Sequence, residues 1–278
     1  MVSLYLNRNL TLESSCGLED AEYVLLGVPF DCTSTYRPGS RFAPLEVRKE
    51  LLELEKDSGG RNFFDLKFCD AGNVDVVYGN AAKTLDIVEE VVSDILAANG
   101  KARLITLGGE HLISLPVVKA LSKREKLTVV SVDAHLDLKD DYVGERLSHS
   151  SVMRRISEEG VSVVELGVRT FDNSELDYAK KKEVMFCGTD EKEIARIISG
   201  IRGDVYLSID FDALDPGIAP GVGNPEPGGL AFQKLEGIVG KLRKKTIALD
   251  LTEVCPPYDH SGATSVAAAR ILLDYMLY

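Results

Sequence analysis

The chain has 278 residues, of which 45% are hydrophobic, and its 44 acidic and 32 basic residues give a formal net charge of -12. This length can bury a full-sized core, and the acidic balance argues against nonspecific binding to nucleic acid or to an anionic membrane. The five cysteines are scattered and form no Cys-x-x-Cys pair, which argues against a zinc-thiolate site and favours reduced thiols.

The sequence shows neither a targeting segment nor a linker. Its first residues lack a basic stretch followed by an apolar one, and no apolar run approaches the roughly 20 residues needed to cross a bilayer. No Pro-rich, Gly/Ser-rich or repetitive stretch interrupts it. We therefore expect a cytoplasmic protein without a membrane span, folded as one domain over residues 1–278.

Strand-like and helical segments alternate along the chain. Seven runs rich in apolar and β-branched residues predict strands at 23–28, 102–107, 127–132, 161–166, 183–187, 205–209 and 246–251. Five patterns with apolar residues at helical spacing predict helices at 82–98, 114–122, 191–199, 231–244 and 265–275. The alternation predicts an α/β fold whose mainly parallel sheet is covered by helices on both faces. It does not distinguish an open three-layer sheet from a closed barrel. In both, ligands bind at the carboxyl ends of the strands.

Potential metal ligands follow three of the predicted strands. The segments are Gly108-Gly109-Glu110-His111, Asp133-Ala134-His135-Leu136-Asp137 and Asp210-Phe211-Asp212. Residues two apart on a strand point to the same face, so each segment directs its ligand-type side chains together. The chain has only four histidines, and two of them, His111 and His135, lie in these settings.

Four carboxylates in this arrangement, from Asp133, Asp137, Asp210 and Asp212, cannot all stay ionised without added cations. Two divalent ions would supply four positive charges against four negative ones. Oxygen and imidazole ligands without thiolate favour manganese, although zinc, cobalt or nickel would also fit. A two-metal site indicates hydrolysis, and the residues alone leave phosphoesters, amides and guanidines open. The Pro- and Gly-rich segment at 213–230 predicts a close-packed loop at the same strand ends.

These segments resemble, in order and content, three signatures of the ureohydrolases, the arginase and agmatinase family. Further matches extend the likeness over nearly the whole chain: residues 37–44 resemble the family's N-terminal Gly-x-Arg-x-Gly-Pro segment, 165–169 its Gly-Ile/Leu-Arg strand end, and 249–254 its Asp-x-x-Glu-Val strand. The resemblance implies a three-layer α/β/α fold with a roughly eight-stranded sheet, a centre of two Mn²⁺ per subunit, and a homo-oligomer, typically a trimer or hexamer.

Carried over by position, the family's six metal ligands are all present. His111 and Asp137 would bind one metal, His135 and Asp212 the other, and Asp133 and Asp210 would bridge or share both. The resemblance implies that a bridging hydroxide attacks a guanidinium carbon, giving urea and an amine.

The resemblance also implies roles for residues beyond the ligands. Glu253 would pair with the substrate guanidinium, since a carboxylate can accept two parallel hydrogen bonds from that planar cation. His149 aligns with a family histidine thought to shuttle protons, and an imidazole titrates in the range that task requires. Glu253, His149 and Asp137 are therefore the candidate catalytic residues, and Asp172 joins Glu253 and His149 as a candidate substrate-binding residue.

Two residues near these motifs receive other expectations. Glu110 replaces the aspartate usual in Gly-Gly-Asp-His, and we expect it to influence the neighbouring ligand His111 rather than to bind metal. His260 matches no functional position, and we expect it to serve a helix N-terminus or the surface.

The chemical group at the end of the substrate away from the guanidinium is predicted from the segment that follows residues 133–137. Arginases hold the substrate's amino-acid end with an Asn at the position of Lys139, and the residues that follow here are Asp140, Asp141, Tyr142 and Glu145. An acidic rim suits a small cationic guanidine that ends in an amine. Agmatine, giving putrescine and urea, is therefore the first prediction, as in prokaryotic and archaeal agmatinase-type members.

Several alternatives stay open. Arginine, aminopropylagmatine, guanidinobutyrate and formiminoglutamate are other substrates of the same chemistry. A related deacetylase-type amide hydrolase normally uses one zinc and fewer carboxylates, so the intact six-residue set speaks against it. A catalytically inactive ureohydrolase-like partner would normally have lost a ligand or the guanidinium carboxylate, and no such loss is visible.

Overall fold

A nine-stranded sheet runs through the computed structural model, which describes residues 5–8, 11–58 and 60–278. Its strands are β1 (Leu6–Asn7), β2 (Tyr23–Gly27), β5 (Phe68–Val74), β6 (Arg103–Leu107), β7 (Leu127–Val132), β8 (Ser162–Leu166), β9 (Met185–Cys187), β10 (Asp204–Asp210) and β11 (Thr246–Thr252). The spatial order is β1-β5-β2-β6-β11-β10-β7-β8-β9. Only β1, at one edge, pairs antiparallel with its neighbour among these strands; the other eight are mutually parallel. A separate hairpin joins β3 (Asp57–Ser58) to β4 (Arg61–Asn62).

Eight α-helices in the described part of the chain cover both faces of this sheet. They are α1 (Ala43–Glu53), α2 (Ala81–Ala98), α3 (Ser114–Ser122), α4 (Val152–Glu158), α5 (Asn173–Lys182), α6 (Glu191–Gly200), α7 (Phe232–Leu242) and α8 (Ala263–Leu277). The buried side chains of α1, α6, α7 and α8 form one apolar cluster, and those of α2, α3, α4 and α5 form another.

The two clusters meet opposite faces of the same strands. On β2, Tyr23 and Leu25 belong to one cluster while Val24 and Leu26 belong to the other. This alternation follows from the period of two along a strand, and burial on both faces explains why the parallel strands read as continuous apolar runs. The open sheet confirms the three-layer α/β/α prediction and excludes the barrel.

Most predicted elements form within a few residues of their expected ends, with two instructive differences. Glu183, placed in the fifth predicted strand, instead ends α5 in a left-handed conformation with φ 56°. Strand β5 and helices α1, α4 and α5 were not predicted. The sequence of β5 contains Asp70, Gly72 and Asn73, which are unusual in a buried strand.

A buried cation explains how β5 carries these polar residues. The Arg48 guanidinium, on α1, donates to both carboxylate oxygens of Asp70 at 2.8 Å and to the side-chain oxygen of Asn73 at 2.8 Å. Both partners of the ion pair are almost fully buried. Such a two-point pair fixes α1 against the sheet, and each charge depends on the other because neither is solvated.

Among the described residues, none of the helices is both long enough and apolar enough to cross a lipid bilayer.

Replacing Arg48 with methionine would leave the Asp70 carboxylate buried and unpaired. We expect the free energy of unfolding, measured by urea titration, to fall by about 3–5 kcal/mol. The matched control is Lys49→Met on the same helix, where the exposed amine pairs with Glu46 at the surface; its expected change is below about 0.5 kcal/mol. Equal losses in the two variants would contradict the role given to the buried pair.

Candidate metal centre and cavity

Four neighbouring strands, β6, β11, β10 and β7, end at the same edge of the sheet. Because they are parallel, the residues that follow them meet there: His111 after β6, Asp133 after β7, Asp210 at the end of β10 and Glu253 after β11. The carboxyl end of a parallel sheet is where α/β proteins place their ligands. The structure brings together all six predicted metal ligands at this edge.

Three carboxylates surround the ring of His111. Its Nδ1 atom lies 3.0 Å from Asp133 Oδ2, 3.1 Å from Asp137 Oδ2 and 3.4 Å from Asp210 Oδ2. His111, Asp133 and Asp137 are buried and offer ligand atoms within 4.8 Å of one another, as a bound metal ion requires.

A second group forms around His135 and shares Asp133 with the first. His135 Nδ1 lies 3.0 Å from Asp212 Oδ2 and 3.4 Å from Asp133 Oδ1. Asp133, His135 and Asp212 also place ligand atoms within 4.8 Å of one another. Asp133 therefore spans the two groups, and Asp210 lies near His111 of the first while it accepts the backbone N–H of Asp212, a residue of the second, at 2.9 Å.

The charges of this cluster fit divalent cations. Burial, and then Asp212 and Asp133, raise the pKa of Asp210 well above its usual range, and burial together with Asp133 raises the pKa of Asp137 to about 7. Asp133 Oδ2 is buried, and the nearby His111 Nδ1, 3.0 Å away, is not aligned to donate a hydrogen bond to it. Four buried carboxylates and two imidazoles that face each other in this way need added positive charge between them.

The two histidine rings are held from their far sides. His111 Nε2 lies 2.9 Å from Ser208 Oγ, which donates to Asp250 Oδ1 at 2.6 Å. His135 Nε2 lies 3.1 Å from the side-chain amide of Asn224. Partners on one ring nitrogen orient the ring and leave the other nitrogen to face a metal.

An arginine fixes the turn that carries Asp212. The Arg169 guanidinium donates to the backbone oxygens of Asp212 at 2.7 Å and Glu226 at 2.6 Å, and so ties the strand end to the Pro- and Gly-rich loop. Asp215 accepts the backbone N–H groups of Gly217 and Gly228, both at 2.9 Å. The loop packs closely where Gly221 and Gly229 leave no room for a Cβ atom, whereas Gly217 and Gly228 are exposed.

Two non-glycine residues of the site adopt the left-handed conformation, Asp137 with φ 49° and Glu253 with φ 62°. This conformation costs on the order of 1–3 kcal/mol for a side chain with a Cβ atom and persists where the surroundings impose it. For Glu253 the constraint includes Gly109, whose carbonyl accepts the Glu253 N–H at 2.9 Å. A Cβ atom on Gly109 would lie 1.9 Å from the Phe30 carbonyl oxygen, so only glycine fits there.

Glu253 is buried beside the metal ligands and lines the cavity above them. Its Oε1 atom accepts the backbone N–H of His111 at 2.9 Å. Burial, and then Glu110, raise the pKa of Glu253 well above its usual range. A carboxylate in this position gains from a cation in the cavity.

His149 also lines this cavity, from a short turn that precedes α4. The turn is closed by a reciprocal pair of contacts between Ser148 and Ser151. Burial lowers the pKa of His149 to about 4, so its imidazole is neutral at physiological pH. The edge of the ring packs against Tyr142, with ring centroids 5.7 Å apart.

The cavity has a volume of about 290 Å³, and its outer wall includes Lys139, Asp172 and Glu175. The Lys139 ammonium lies 2.7 Å from Asp172 and 3.0 Å from Glu175. The Lys139 ammonium, which has the larger effect, and the Ser174 hydroxyl hold the pKa of Asp172 well below its usual range. Asp172 also caps the N-terminus of α5 by accepting the N–H groups of Ser174 and Glu175.

The prediction of which residues form the acidic rim of the cavity was wrong. Asp140 lies outside the cavity wall, where Arg146, Arg154 and Arg155 surround it. Asp141 and Glu145 also lie outside, because each folds back onto a backbone N–H group of its own loop. The carboxylates that face the outer cavity are Asp172 and Glu175 instead, and of the predicted segment Lys139 and Tyr142 line the wall.

Comparison with known proteins identifies the family. The profile of the arginase family matches residues 21–278. The chain belongs to the arginase family. An agmatinase from Bacillus anthracis is 38% identical over 276 residues, which cover 96% of this chain and 94% of the relative. An N(1)-aminopropylagmatine ureohydrolase from Thermococcus kodakarensis is 36% identical, over 91% of this chain and 89% of the relative.

Solved structures agree with this result. The crystal structure of the agmatine ureohydrolase of Thermoplasma volcanium superposes with a TM-score of 0.86 at 34% identity, covering 94% of this chain and 90% of that one. Sequence and fold thus confirm the predicted resemblance to the arginase family.

Some residues of this arginase-family site were missed from the sequence. Thr33, Glu175 and the loop at 34–37 contact the site from segments without an apolar period or a ligand-type pair. His260 is exposed and lies outside the cavity, in agreement with the expectation of a surface position.

The shared position of Asp133 generates a prediction about metal content. Asp133→Asn should lower the binding of both divalent ions, whereas Asp137→Asn should lower mainly one, because Asp137 belongs to a single group. Elemental analysis after gel filtration in manganese measures the ions per chain. Asp140→Asn, outside the cavity, is the control and should keep the wild-type content. Loss of one ion only in Asp133→Asn would contradict the shared role.

Proposed function

We propose that the protein is a dimanganese hydrolase that cleaves agmatine to putrescine and urea. The observation that carries this proposal is the pair of histidine–carboxylate groups sharing Asp133, directly beneath a cavity that exposes Glu253 and His149. The relatives named agmatinase and agmatine ureohydrolase support the same reaction class.

Six residues would hold the metal ions: His111 and Asp137 around one, His135 and Asp212 around the other, with Asp133 and Asp210 bridging or shared between them. Two such ions would polarise the attacking water and the guanidinium group, and oxygen and imidazole ligands without thiolate suit manganese. The protein holds the ligands in place, since five of the six are almost fully buried.

Glu253 would hold the guanidinium. One of its oxygens receives the His111 N–H, which anchors the carboxylate, and the other lies beside Gly223, where a Cβ atom would come within 3.0 Å. The glycine leaves room for a flat cation at that oxygen. A buried carboxylate that lacks a cationic partner gains most when the positive charge of the substrate arrives.

His149 would move a proton between the attacking water and the departing amine. Burial lowers its pKa below the near-neutral value expected from the sequence, so the imidazole is neutral at the pH of the cell and one ring nitrogen keeps a lone pair that can receive a proton. The products balance as urea and a protonated amine, with one water consumed.

The outer cavity favours a substrate that ends in an amine. Asp172 and Glu175 carry two negative charges there against one from Lys139, so the group as a whole is acidic. An amine could share Asp172, which is half-exposed, whereas a carboxylate would meet both acids. The relative that acts on N(1)-aminopropylagmatine makes this longer amine the second candidate.

The test is urea release by the manganese-reconstituted protein from agmatine, aminopropylagmatine, arginine and guanidinobutyrate. We expect turnover of the amine-ended guanidines and little of the other two. Preference for arginine or guanidinobutyrate would overturn the interpretation that the outer cavity favours an amine. The absence of urea from all four compounds would overturn the proposed activity. Assembly as a trimer or hexamer stays a prediction from the family.

Glu253→Gln should keep both metal ions but lower kcat/KM for agmatine by about 100-fold. The reason is the loss of the charge-assisted hydrogen bonds between the carboxylate and the guanidinium, worth about 3 kcal/mol. Steady-state kinetics and elemental analysis measure the two quantities. Glu145→Gln, outside the cavity, is the matched control and should behave as wild type. A large fall in metal content in Glu253→Gln would mean that Glu253 serves the metal rather than the guanidinium.

A further inference from the structure

Thr33 connects two residues that the proposed reaction leaves unlinked, Glu110 and His149. Its hydroxyl lies within hydrogen-bond distance of Glu110 Oε1, and its backbone N–H donates to Glu110 Oε2 at 2.7 Å. The same hydroxyl accepts the backbone N–H of His149 at 3.0 Å and lies 3.3 Å from the ring Nδ1 atom of His149. Glu110 is fully buried.

The donors and acceptors around this hydroxyl can be counted. A threonine hydroxyl has one proton to donate and two lone pairs that accept. The Glu110 carboxylate accepts from both the backbone N–H and the hydroxyl of Thr33, so the Thr33 proton goes to Glu110. Both lone pairs then remain for His149, one for its backbone N–H and one for its ring. Only a ring with the proton on Nδ1 satisfies this arrangement.

We propose that Thr33, oriented by Glu110, is a positioning residue that keeps the proton of neutral His149 on Nδ1 and leaves Nε2 as the proton acceptor at the cavity. The proposal rests on the proposed function for its consequence, because it matters to turnover only if His149 moves a proton there.

The arrangement has a chemical purpose. A neutral imidazole accepts a proton only at its unprotonated nitrogen, and the wrong tautomer presents an N–H group to the water instead. In serine hydrolases a buried carboxylate holds the catalytic histidine in the right tautomer directly. Here the carboxylate of Glu110 would act through the Thr33 hydroxyl, and the replacement of the usual aspartate by glutamate gives the longer side chain that reaches it.

A merely structural role is the competing explanation. Glu110 also accepts the Ser34 hydroxyl at 3.4 Å, so it could serve only to fix the loop of Thr33 and Ser34. That role would require neither a particular His149 tautomer nor an effect on kcat at constant metal content.

Glu110→Gln separates the two explanations. The Thr33 backbone N–H cannot turn away, so the glutamine carbonyl oxygen must face it and the NH₂ group must face the Thr33 hydroxyl. The hydroxyl then accepts from the glutamine and donates to His149 Nδ1, which moves the imidazole proton to Nε2. Thr33→Val removes the hydroxyl, Thr33→Ser keeps it, and Ser34→Ala removes the other hydroxyl on Glu110 without touching His149.

The experiment is ¹H–¹⁵N NMR of histidine-labelled protein loaded with diamagnetic zinc, at about pH 8.5 so that ordinary surface histidines are neutral. The chain has only four histidines, and His149→Gln identifies the ring of interest. Manganese-loaded protein then gives kcat, KM and metal content for each variant.

We expect Nδ1–H in wild type, Thr33→Ser and Ser34→Ala, and Nε2–H in Glu110→Gln. Thr33→Val should lose the preference for Nδ1–H. The kcat of Glu110→Gln and Thr33→Val should fall about 10- to 100-fold with unchanged metal content.

Nε2–H in the wild type, or Nδ1–H retained in both Glu110→Gln and Thr33→Val, would overturn the proposal. If the tautomer changes as expected while kcat does not, the positioning by Thr33 stands, and the role of His149 in the proposed function fails. Because Glu110→Gln preserves the shape of the side chain, it decides the question even if Thr33→Val does not fold.

Discussion

Mutual repulsion among buried carboxylates is the constraint on which this structure depends. The strand order places β6, β11, β10 and β7 side by side, so their ends bring four buried carboxylates together at one edge: Asp133, Asp137, Asp210 and Asp212. Such a group is tolerable only with added positive charge. The surrounding features fix the carboxylates against that repulsion: the backbone donors, the Arg169 clamp and the left-handed Asp137 and Glu253.

The same electrostatic logic extends from the metal centre to the cavity. Glu253 is a further buried carboxylate, and the charge that would complete its surroundings is the substrate's own guanidinium. At the outer end, Lys139 neutralises only part of the charge of Asp172 and Glu175. His149 is the opposite case, since burial favours its neutral form over its charged form. The protein side chains of the site are thus strongly anionic at its base and mildly anionic at its mouth.

The features that were predicted correctly are those encoded by short-range sequence patterns. Apolar runs located the central strands, such as Leu127–Val132, and the motifs after them located the ligands, because parallel strands must end at a common edge. Strand β5 was missed because Asp70 makes its sequence look too polar for a buried strand. The charge of Asp70 is neutralised by Arg48, which is 22 residues away in the chain. The acidic rim failed for a similar reason: Asp140 follows the ligand motif in sequence, but three arginines take it out of the cavity. Long-range pairing of charges is invisible to a local pattern, as is the contact from Thr33 to His149.

The most direct test of the central claim is anomalous diffraction from crystals grown in manganese. The account predicts two peaks, one between His111 and Asp137 and the other between His135 and Asp212, with Asp133 contacting both. A single peak, or two peaks away from Asp133, would contradict the claim that paired cations make this carboxylate cluster tolerable.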